Sequence, residues 1–151
     1  MKRIRVLVVD DHQLFREGLA ALLAAAAETE VVGEAGTGRA AIEQTAVTAP
    51  DVVLMDIQIP QMNGSGPPRH ILDARPDTGV IMLTMLEDDD SLFAAMSAGA
   101  RGYILKGADK AEVLRTVTAV AAGQALFGPA IARRLNSLFQ RGAGGGAAVG
   151  P

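Results

Sequence analysis

The sequence predicts an α/β fold in which a parallel sheet of five strands carries helices on both faces. Five short apolar runs alternate along the chain with longer segments of helical periodicity. This alternation is typical of a parallel sheet, because each strand needs a crossover before the next can run in the same direction. Hydrophobic residues make up 49% of the 151 residues, enough for one domain with a substantial core.

The five predicted strands have a β-branched, mostly apolar composition, which suits strands that are buried on both faces. They cover residues 4–10, 29–35, 51–57, 79–85 and 102–106. The third strand reads DVVLMDI, so four apolar residues lead to a carboxylate, Asp56. A charged residue at the end of a buried strand is unusual, and polar residues at the ends of the other strands would indicate a common site.

Segments with helical periodicity separate the strands, and the clearest cover residues 12–26, 36–47, 87–100 and 108–123. Their spacing predicts helices that pack one apolar face on the sheet. In the first helix that face consists of Leu14, Phe15, Gly18, Leu19, Leu22 and Leu23.

Composition excludes several classes of protein. The chain has no cysteine, so disulfides and thiolate metal sites are excluded. A net charge of −3 argues against a nucleic-acid surface in this segment, which would need a basic patch. No run approaches the ~18 apolar residues of a membrane span, and no signal peptide is evident. We therefore expect a cytoplasmic protein that does not enter a membrane.

Polar side chains stand at the carboxyl ends of four of the predicted strands. These side chains belong to Asp10, Asp11, Asp56, Thr84 and Lys106. Each has an ordinary explanation by itself, as a turn or helix-cap residue, a strand-forming residue or a solvated charge. Because ligands of open parallel sheets bind beyond the carboxyl ends of the strands, the joint pattern predicts a site at that edge.

The chemistry that such a cluster permits is narrow. Carboxylates that lie close together repel one another, and a hard divalent cation such as Mg²⁺ relieves the repulsion. An aspartate can act as a nucleophile toward phosphorus. Lys106 would then hold one phosphoryl oxygen as a point charge, and the hydroxyl of Thr84 would donate to another. The residues therefore predict a site for phosphoryl transfer.

Four stretches of the sequence together resemble the receiver domain of bacterial two-component response regulators. They are VLVVDDHQLFREGL, VVLMDIQIPQMNG, VIMLTM and AGARGYILKGADKAEV. These sequences are similar to the subfamily in which a receiver domain is joined to a LuxR/NarL-type helix-turn-helix domain. The resemblance covers residues 4 to about 135. The resemblance implies a flavodoxin-like sheet with the strand order 2-1-3-4-5.

The resemblance also implies roles for individual residues of the site. Asp56 matches the phosphoacceptor, Asp11 a direct metal ligand, and Asp10 its neighbour, which often works through water. The backbone carbonyl of Gln58 would be a further ligand of the Mg²⁺ or Mn²⁺ ion. With these roles the chain would be a switch, with self-phosphorylation and slow autodephosphorylation as its only chemistry.

The remaining implied roles concern the switch. Thr84 matches the switch hydroxyl, Tyr103 the aromatic residue that changes rotamer with it, and Lys106 the phosphate-binding lysine. The implied partners are a sensor histidine kinase and a second copy of the chain after phosphorylation. DNA would be bound only through an output domain, which residues 1–151 are not expected to contain.

Two segments depart from the family pattern. In GSGPPRH, Pro67 and Pro68 are tolerated only in a first helical turn, so the third helix should start late and residues 61–68 should be mobile. Beyond a receiver domain at 1–125, residues 126–141 predict an amphipathic helix, either docked or free to bind a partner. Residues 142–151 predict a Gly-rich linker or tail.

Two other functions remain open at this stage. A Mg²⁺-dependent phosphohydrolase with an aspartate nucleophile would need a second acid two residues later, where Gln58 stands. A pseudo-receiver that acts only as an interaction module would not need the full set of polar residues. His12 is expected to be an exposed residue in the first turn of a helix. The glycines of GEAGTGRAA match no phosphate-binding spacing and are expected to be loop residues.

Overall fold

The computed structural model describes residues 2–59, 66–85 and 96–127, together with residues 90, 93, 133, 136 and 140. The strands in these ranges are β1 (Ile4–Val9), β2 (Thr29–Ala35), β3 (Val52–Asp56), β4 (Gly79–Thr84), β5 (Gly102–Leu105) and β6 (Leu126–Phe127). The helices with complete bounds are α1 (Gln13–Ala25), α2 (Gly38–Thr48), α3 (Pro67–Ala74) and α4 (Lys110–Ala121). None of them combines the length and the apolar character that a membrane crossing needs.

The strands form one sheet in the order β2-β1-β3-β4-β5-β6, and every neighbouring pair is parallel. This arrangement confirms the predicted α/β class and the order of the first five strands. All five residues of β3 are buried, as expected for a strand in the middle of the sheet. The carboxyl ends of β1, β3, β4 and β5 therefore meet at one edge.

The sheet separates two apolar layers. One layer packs α2 and α3 on the sheet and includes Leu7, Val9, Ala41, Val53, Met55, Ile71, Met82 and Tyr103. The other packs α1 and α4 on the opposite face and includes Val8, Leu19, Leu23, Leu54, Leu83, Val113, Val117 and Val120. Burial of these apolar side chains holds the strands in register, and it fixes which residues reach the edge of the sheet.

Two details differ from the sequence prediction. Leu14 was predicted to face the core but is 87% exposed, because the apolar stripe assigned to α1 was wider than the face that contacts the sheet. The sheet has six strands instead of five. β6 pairs with β5 through the register Gly102↔Leu126, and a strand of two residues carries no periodic signal by which a sequence could predict it.

The late start predicted for the third helix is confirmed. Gly66 is its N-cap, and Pro67 and Pro68 occupy the first turn, where both are buried. Residues 60–65 lie outside the described residues, so the mobility predicted for 61–68 stays a prediction. Half of the helix predicted over 87–100 also lies outside the described residues, and the described residues 90, 93, 96 and 97 are helical. Most residues of the segments predicted over 126–141 and 142–151 lie outside the described residues, so these segments stay predictions.

Candidate functional site

Backbone hydrogen bonds continue past the ends of the strands at the edge where the site was predicted. Three N–H groups just beyond β1, β3 and β5 donate to carbonyl oxygens at or near the ends of the neighbouring strands. The pairs are Asp10 N with Ala35 O at 3.0 Å, Ile57 N with Leu83 O at 2.9 Å, and Lys106 N with Thr84 O at 2.7 Å. The polar side chains of the site therefore stand on backbone that the sheet itself fixes.

The three predicted acids come together at this edge. Asp10, Asp11, Asp56 and His12 each offer a ligand atom, and these four atoms lie within 4.8 Å of one another. Asp10 and Asp56 are buried, whereas the Asp11 side chain is 52% exposed. This donor set, rich in carboxylate oxygen and open to water on the Asp11 side, fits a hard divalent cation that keeps part of its hydration.

Lys106 joins the two buried acids. Its Nζ atom lies 2.7 Å from Asp10 Oδ2 and 3.1 Å from Asp56 Oδ2, and its side chain is only 5% exposed. Burial lowers the pKa of Lys106, but hydrogen bonds to Asp10 and Asp56 and their negative charges outweigh it, so the pKa is raised above 10.5. The ammonium group therefore stays charged at neutral pH and also lies 4.8 Å from the centre of the Phe15 ring.

Each buried acid uses its second oxygen in the same way. Asp10 Oδ1 accepts a hydrogen bond from the backbone N–H of His12 at 2.8 Å, and Asp56 Oδ1 accepts one from the N–H of Gln58 at 2.9 Å. Both are turns in which an aspartate caps the amide two residues later. The two carboxylates are thus oriented by their own loops, with the other oxygen directed to Lys106.

The remaining predicted residues occupy the neighbouring strand ends. Thr84 is the last residue of β4 and is buried, with Leu105 as its partner in β5. Gln58 is exposed in the turn after β3. Tyr103 lies inside β5 with a fully buried ring, in register with Met82. Because the Tyr103 ring is already buried in this structure, the rotamer change implied for it stays a prediction.

His12 is the residue of the site that sequence reasoning missed. It is exposed as predicted, but it is the N-cap of α1 and not a residue of its first turn. Its Nδ1 atom lies 3.2 Å from Asp10 Oδ1 and 3.3 Å from Asp11 Oδ1. No spacing rule gives this result, because it depends on the rotamer of one side chain at the helix start.

Comparisons with known proteins identify the family of this fold. The family model for the response regulator receiver domain matches residues 6–118. The crystal structure of a two-component response regulator of the LuxR family from Aurantimonas sp. SI85-9A1 superposes with a TM-score of 0.82 at 32% identity. That superposition covers 90% of this chain and 97% of the other.

Two curated relatives are longer than this chain. The response regulator GacA of Pseudomonas viridiflava is 41% identical over 132 residues, which cover 87% of this chain and 62% of GacA. The transcriptional regulatory protein DegU of Brevibacillus brevis is 36% identical over 139 residues, covering 92% of this chain and 59% of DegU. The chain therefore spans about three fifths of the length of these relatives.

Proposed function

The chain belongs to the response regulator receiver domain family, and from this premise we propose that it is a signalling switch that accepts a phosphoryl group on Asp56. One observation carries the proposal. The buried carboxylate of Asp56 stands 3.1 Å from a charged lysine and within reach of two further acids at the sheet edge. A nucleophilic oxygen, a cation for the phosphoryl group and a set of metal ligands are thus assembled in one place.

In the proposed reaction an oxygen of Asp56 forms a bond to phosphorus while the bond from phosphorus to the donor breaks. Lys106 Nζ already contacts Asp56 Oδ2. Once the phosphoryl group is attached to Asp56, the same ammonium group would contact a negatively charged phosphoryl oxygen. The Gln58 N–H holds Asp56 Oδ1, which keeps the carboxylate oriented toward the incoming group. These residues contribute position and charge, which phosphoryl transfer requires above all.

The metal ion of the site would be Mg²⁺ or Mn²⁺. Asp11 and Asp56 would hold it directly, Asp10 would act beside them, and the backbone carbonyl of Gln58 would be a further ligand. When bound, the ion supplies positive charge that allows an anionic phosphoryl group to approach an anionic carboxylate. Asp11 is half-exposed, so the site is open to water beside it, and we expect the donor to approach there.

The donor and the output of the switch are part of the same proposal. A sensor histidine kinase would supply the phosphoryl group in the cytoplasm. Thr84 would move to bond it, and the packing around Tyr103 would favour a second conformation of the same fold. Because Tyr103 is already buried, its change would be a repacking inside the core. Dimerisation and transcriptional regulation through a helix-turn-helix output domain would follow in a longer protein.

Acetyl phosphate provides a direct test, since it donates a phosphoryl group without a kinase. The chain would be incubated with acetyl phosphate, with and without Mg²⁺, and the intact mass and the released phosphate would be measured together. We expect one phosphoryl adduct per chain that forms only with Mg²⁺ and decays slowly.

Other results would point to the other functions. Release of many phosphates per chain would indicate a phosphohydrolase, for which Gln58 stands in place of the second acid. No adduct under any condition would favour an interaction module and contradict the proposal.

A further inference from the structure

Arg16, near the start of α1, makes two polar contacts that reach the ends of β1 and β2. Its Nη1 atom donates to the backbone carbonyl oxygen of Asp10 at 2.7 Å, and its Nε donates to Glu34 Oε1 at 3.1 Å. The Arg16 side chain is only 18% exposed, and its contact with the Asp10 carbonyl is partly shielded from water, whereas the Glu34 side chain is 38% exposed. An arginine is always charged and presents its donors in a rigid fork, so one guanidinium group can contact both acceptors at once.

The carbonyl that Arg16 contacts belongs to the peptide group between Asp10 and Asp11. Because a peptide group is planar, the direction of this carbonyl sets the direction of the Asp11 N–H and restricts where both acidic side chains leave the backbone. On the other side, the N–H of Asp10 is held by the Ala35 carbonyl at 3.0 Å. The backbone that carries the acid pair is thus held at two points, and Arg16 supplies one of them.

A glycine leaves the space that the guanidinium group occupies. A Cβ atom at Gly36 would lie 3.1 Å from Arg16 Nη1 and 4.0 Å from the Asp10 carbonyl oxygen. The first distance is tighter than ordinary contact, so the guanidinium group would have to shift by a few tenths of an ångström. Gly36 belongs to the GEAGTG stretch, whose spacing matched no phosphate-binding motif. The contact with Arg16 gives this glycine a role.

We propose that Arg16 is a positioning residue for the metal site. It locks the peptide group between Asp10 and Asp11 in the orientation that brings both acids beside Asp56. The inference rests on the proposed function, because it takes these acids to be the residues that hold the ion. Arg16 acts through the backbone, whereas Lys106 acts on the Asp10 carboxylate itself.

Mg²⁺ binding to the full chain tests this role without any phosphoryl donor, and isothermal titration calorimetry measures it. Arg16→Met removes both donors and keeps a similar volume. We expect it to weaken Mg²⁺ binding by about tenfold or more, the range found when residues that orient metal ligands are removed. Arg16→Lys keeps one donor for the Asp10 carbonyl, so we expect its Mg²⁺ affinity to lie between those of Arg16→Met and wild type.

Two glycine variants separate positioning from general stability. Gly36→Ala removes no polar group, but it displaces the guanidinium group, so we expect weaker Mg²⁺ binding. Gly33→Ala is the matched control, since its Cβ would crowd Gln44 Oε1 at 2.8 Å and Leu7 Cδ1 at 3.2 Å, away from Arg16. We expect Gly33→Ala to lower the free energy of unfolding, measured in urea by circular dichroism, and to leave the Mg²⁺ affinity unchanged.

The possible results distinguish this inference from the proposed function. Arg16→Met with wild-type Mg²⁺ affinity would overturn the positioning role alone, as would equal affinities for Gly36→Ala and Gly33→Ala. If Arg16→Met does not fold, the Mg²⁺ affinities of Arg16→Lys and Gly36→Ala take its place, and wild-type affinity in both variants would overturn the positioning role. A wild-type chain that binds no Mg²⁺ contradicts the proposed metal site itself, and this inference with it.

Discussion

Two buried carboxylates that share one buried ammonium group dominate the site at the scale of single residues. Asp10 and Asp56 lose most of their hydration, and both contact Lys106. The desolvation of such charges is costly, so each depends on its partner. The half-exposed Asp11 adds a further negative charge that Lys106 does not neutralise by contact. The site therefore carries excess negative charge, which is the charge balance that the proposed cation would relieve.

Replacing Lys106 should expose this dependence. We expect Lys106→Met to lower the free energy of unfolding by about 3 kcal/mol without divalent ions, because it leaves two buried carboxylates without their cation. Urea unfolding in the presence of a chelator measures the change. Lys110→Met, at an exposed lysine at the start of α4, is the control and should change stability by less than about 0.5 kcal/mol. Equal losses in both variants would contradict the shared-cation account.

The pH dependence of this contribution follows from the pKa of Lys106. That pKa is raised above its ordinary value of 10.5 in the folded chain, so the folded state holds the proton more tightly than the unfolded state does. The stabilisation is fully present below pH 10.5 and is lost as pH rises through the higher pKa of the folded state. We therefore expect the difference in free energy of unfolding between wild type and Lys106→Met not to decrease between about pH 6 and about pH 9. Urea titrations across that range check it, and a steady decline toward pH 9 would contradict it.

At the scale of secondary-structure elements, α4 packs closely on β4 at Gly79. A Cβ atom at Gly79 would lie 2.3 Å from Val120 Cγ1. We expect Gly79→Ala to lower the free energy of unfolding by about 1–3 kcal/mol, since the core cannot accept the extra methyl group without moving. The double variant with Val120→Ala should be more stable than the sum of the single changes predicts, because the clash is gone.

Gly18 in α1 offers the matched comparison for that prediction. A Cβ atom at this position meets nothing within 4 Å, and the residue lies in the interior of a helix. Gly18→Ala should therefore raise the free energy of unfolding by about 0.5–1 kcal/mol, through the better helix propensity of alanine. Urea unfolding of both variants settles the comparison, and a stabilising Gly79→Ala would show that α4 is free to move away from the sheet.

The elements differ in how well the sequence could predict them. β2 was predicted with its observed bounds, and the late start of α3 followed from the fixed backbone of Pro67 and Pro68. These predictions depend on local chemistry, which a sequence displays. Leu14 and β6 were missed because the width of a buried face and a two-residue pairing at a sheet edge are decided by tertiary packing.

At the scale of the whole molecule, the proposed cation binding would be coupled to folding stability. An ion that binds only the folded chain stabilises it by about 2.7 kcal/mol at a concentration of 100 times its Kd. We expect Mg²⁺ to raise the melting temperature in a concentration-dependent way, and Asp11→Asn to remove most of that increase. Differential scanning calorimetry at several Mg²⁺ concentrations measures both. An equal increase in Asp11→Asn would place the stabilising ion elsewhere.

The candidate site was predictable from the whole chain although no part of it was predictable alone. Asp56 became informative only when the ends of the other strands were considered, since one topology brings all of them to the same edge. The sequence did not indicate that Arg16 would reach the Asp10 carbonyl, or that His12 would turn toward the acids. Those contacts depend on side-chain rotamers, which follow from packing and not from spacing.

The position of the phosphoryl group is the most direct test of the central claim. After treatment with acetyl phosphate and Mg²⁺, fragment masses of the digested chain would locate the modified residue, with Asp56→Asn and the exposed Asp73→Asn treated in parallel. The account predicts one phosphoryl group on Asp56, lost in Asp56→Asn and retained in Asp73→Asn. A phosphoryl group on another residue, or one that persists in Asp56→Asn, would contradict it.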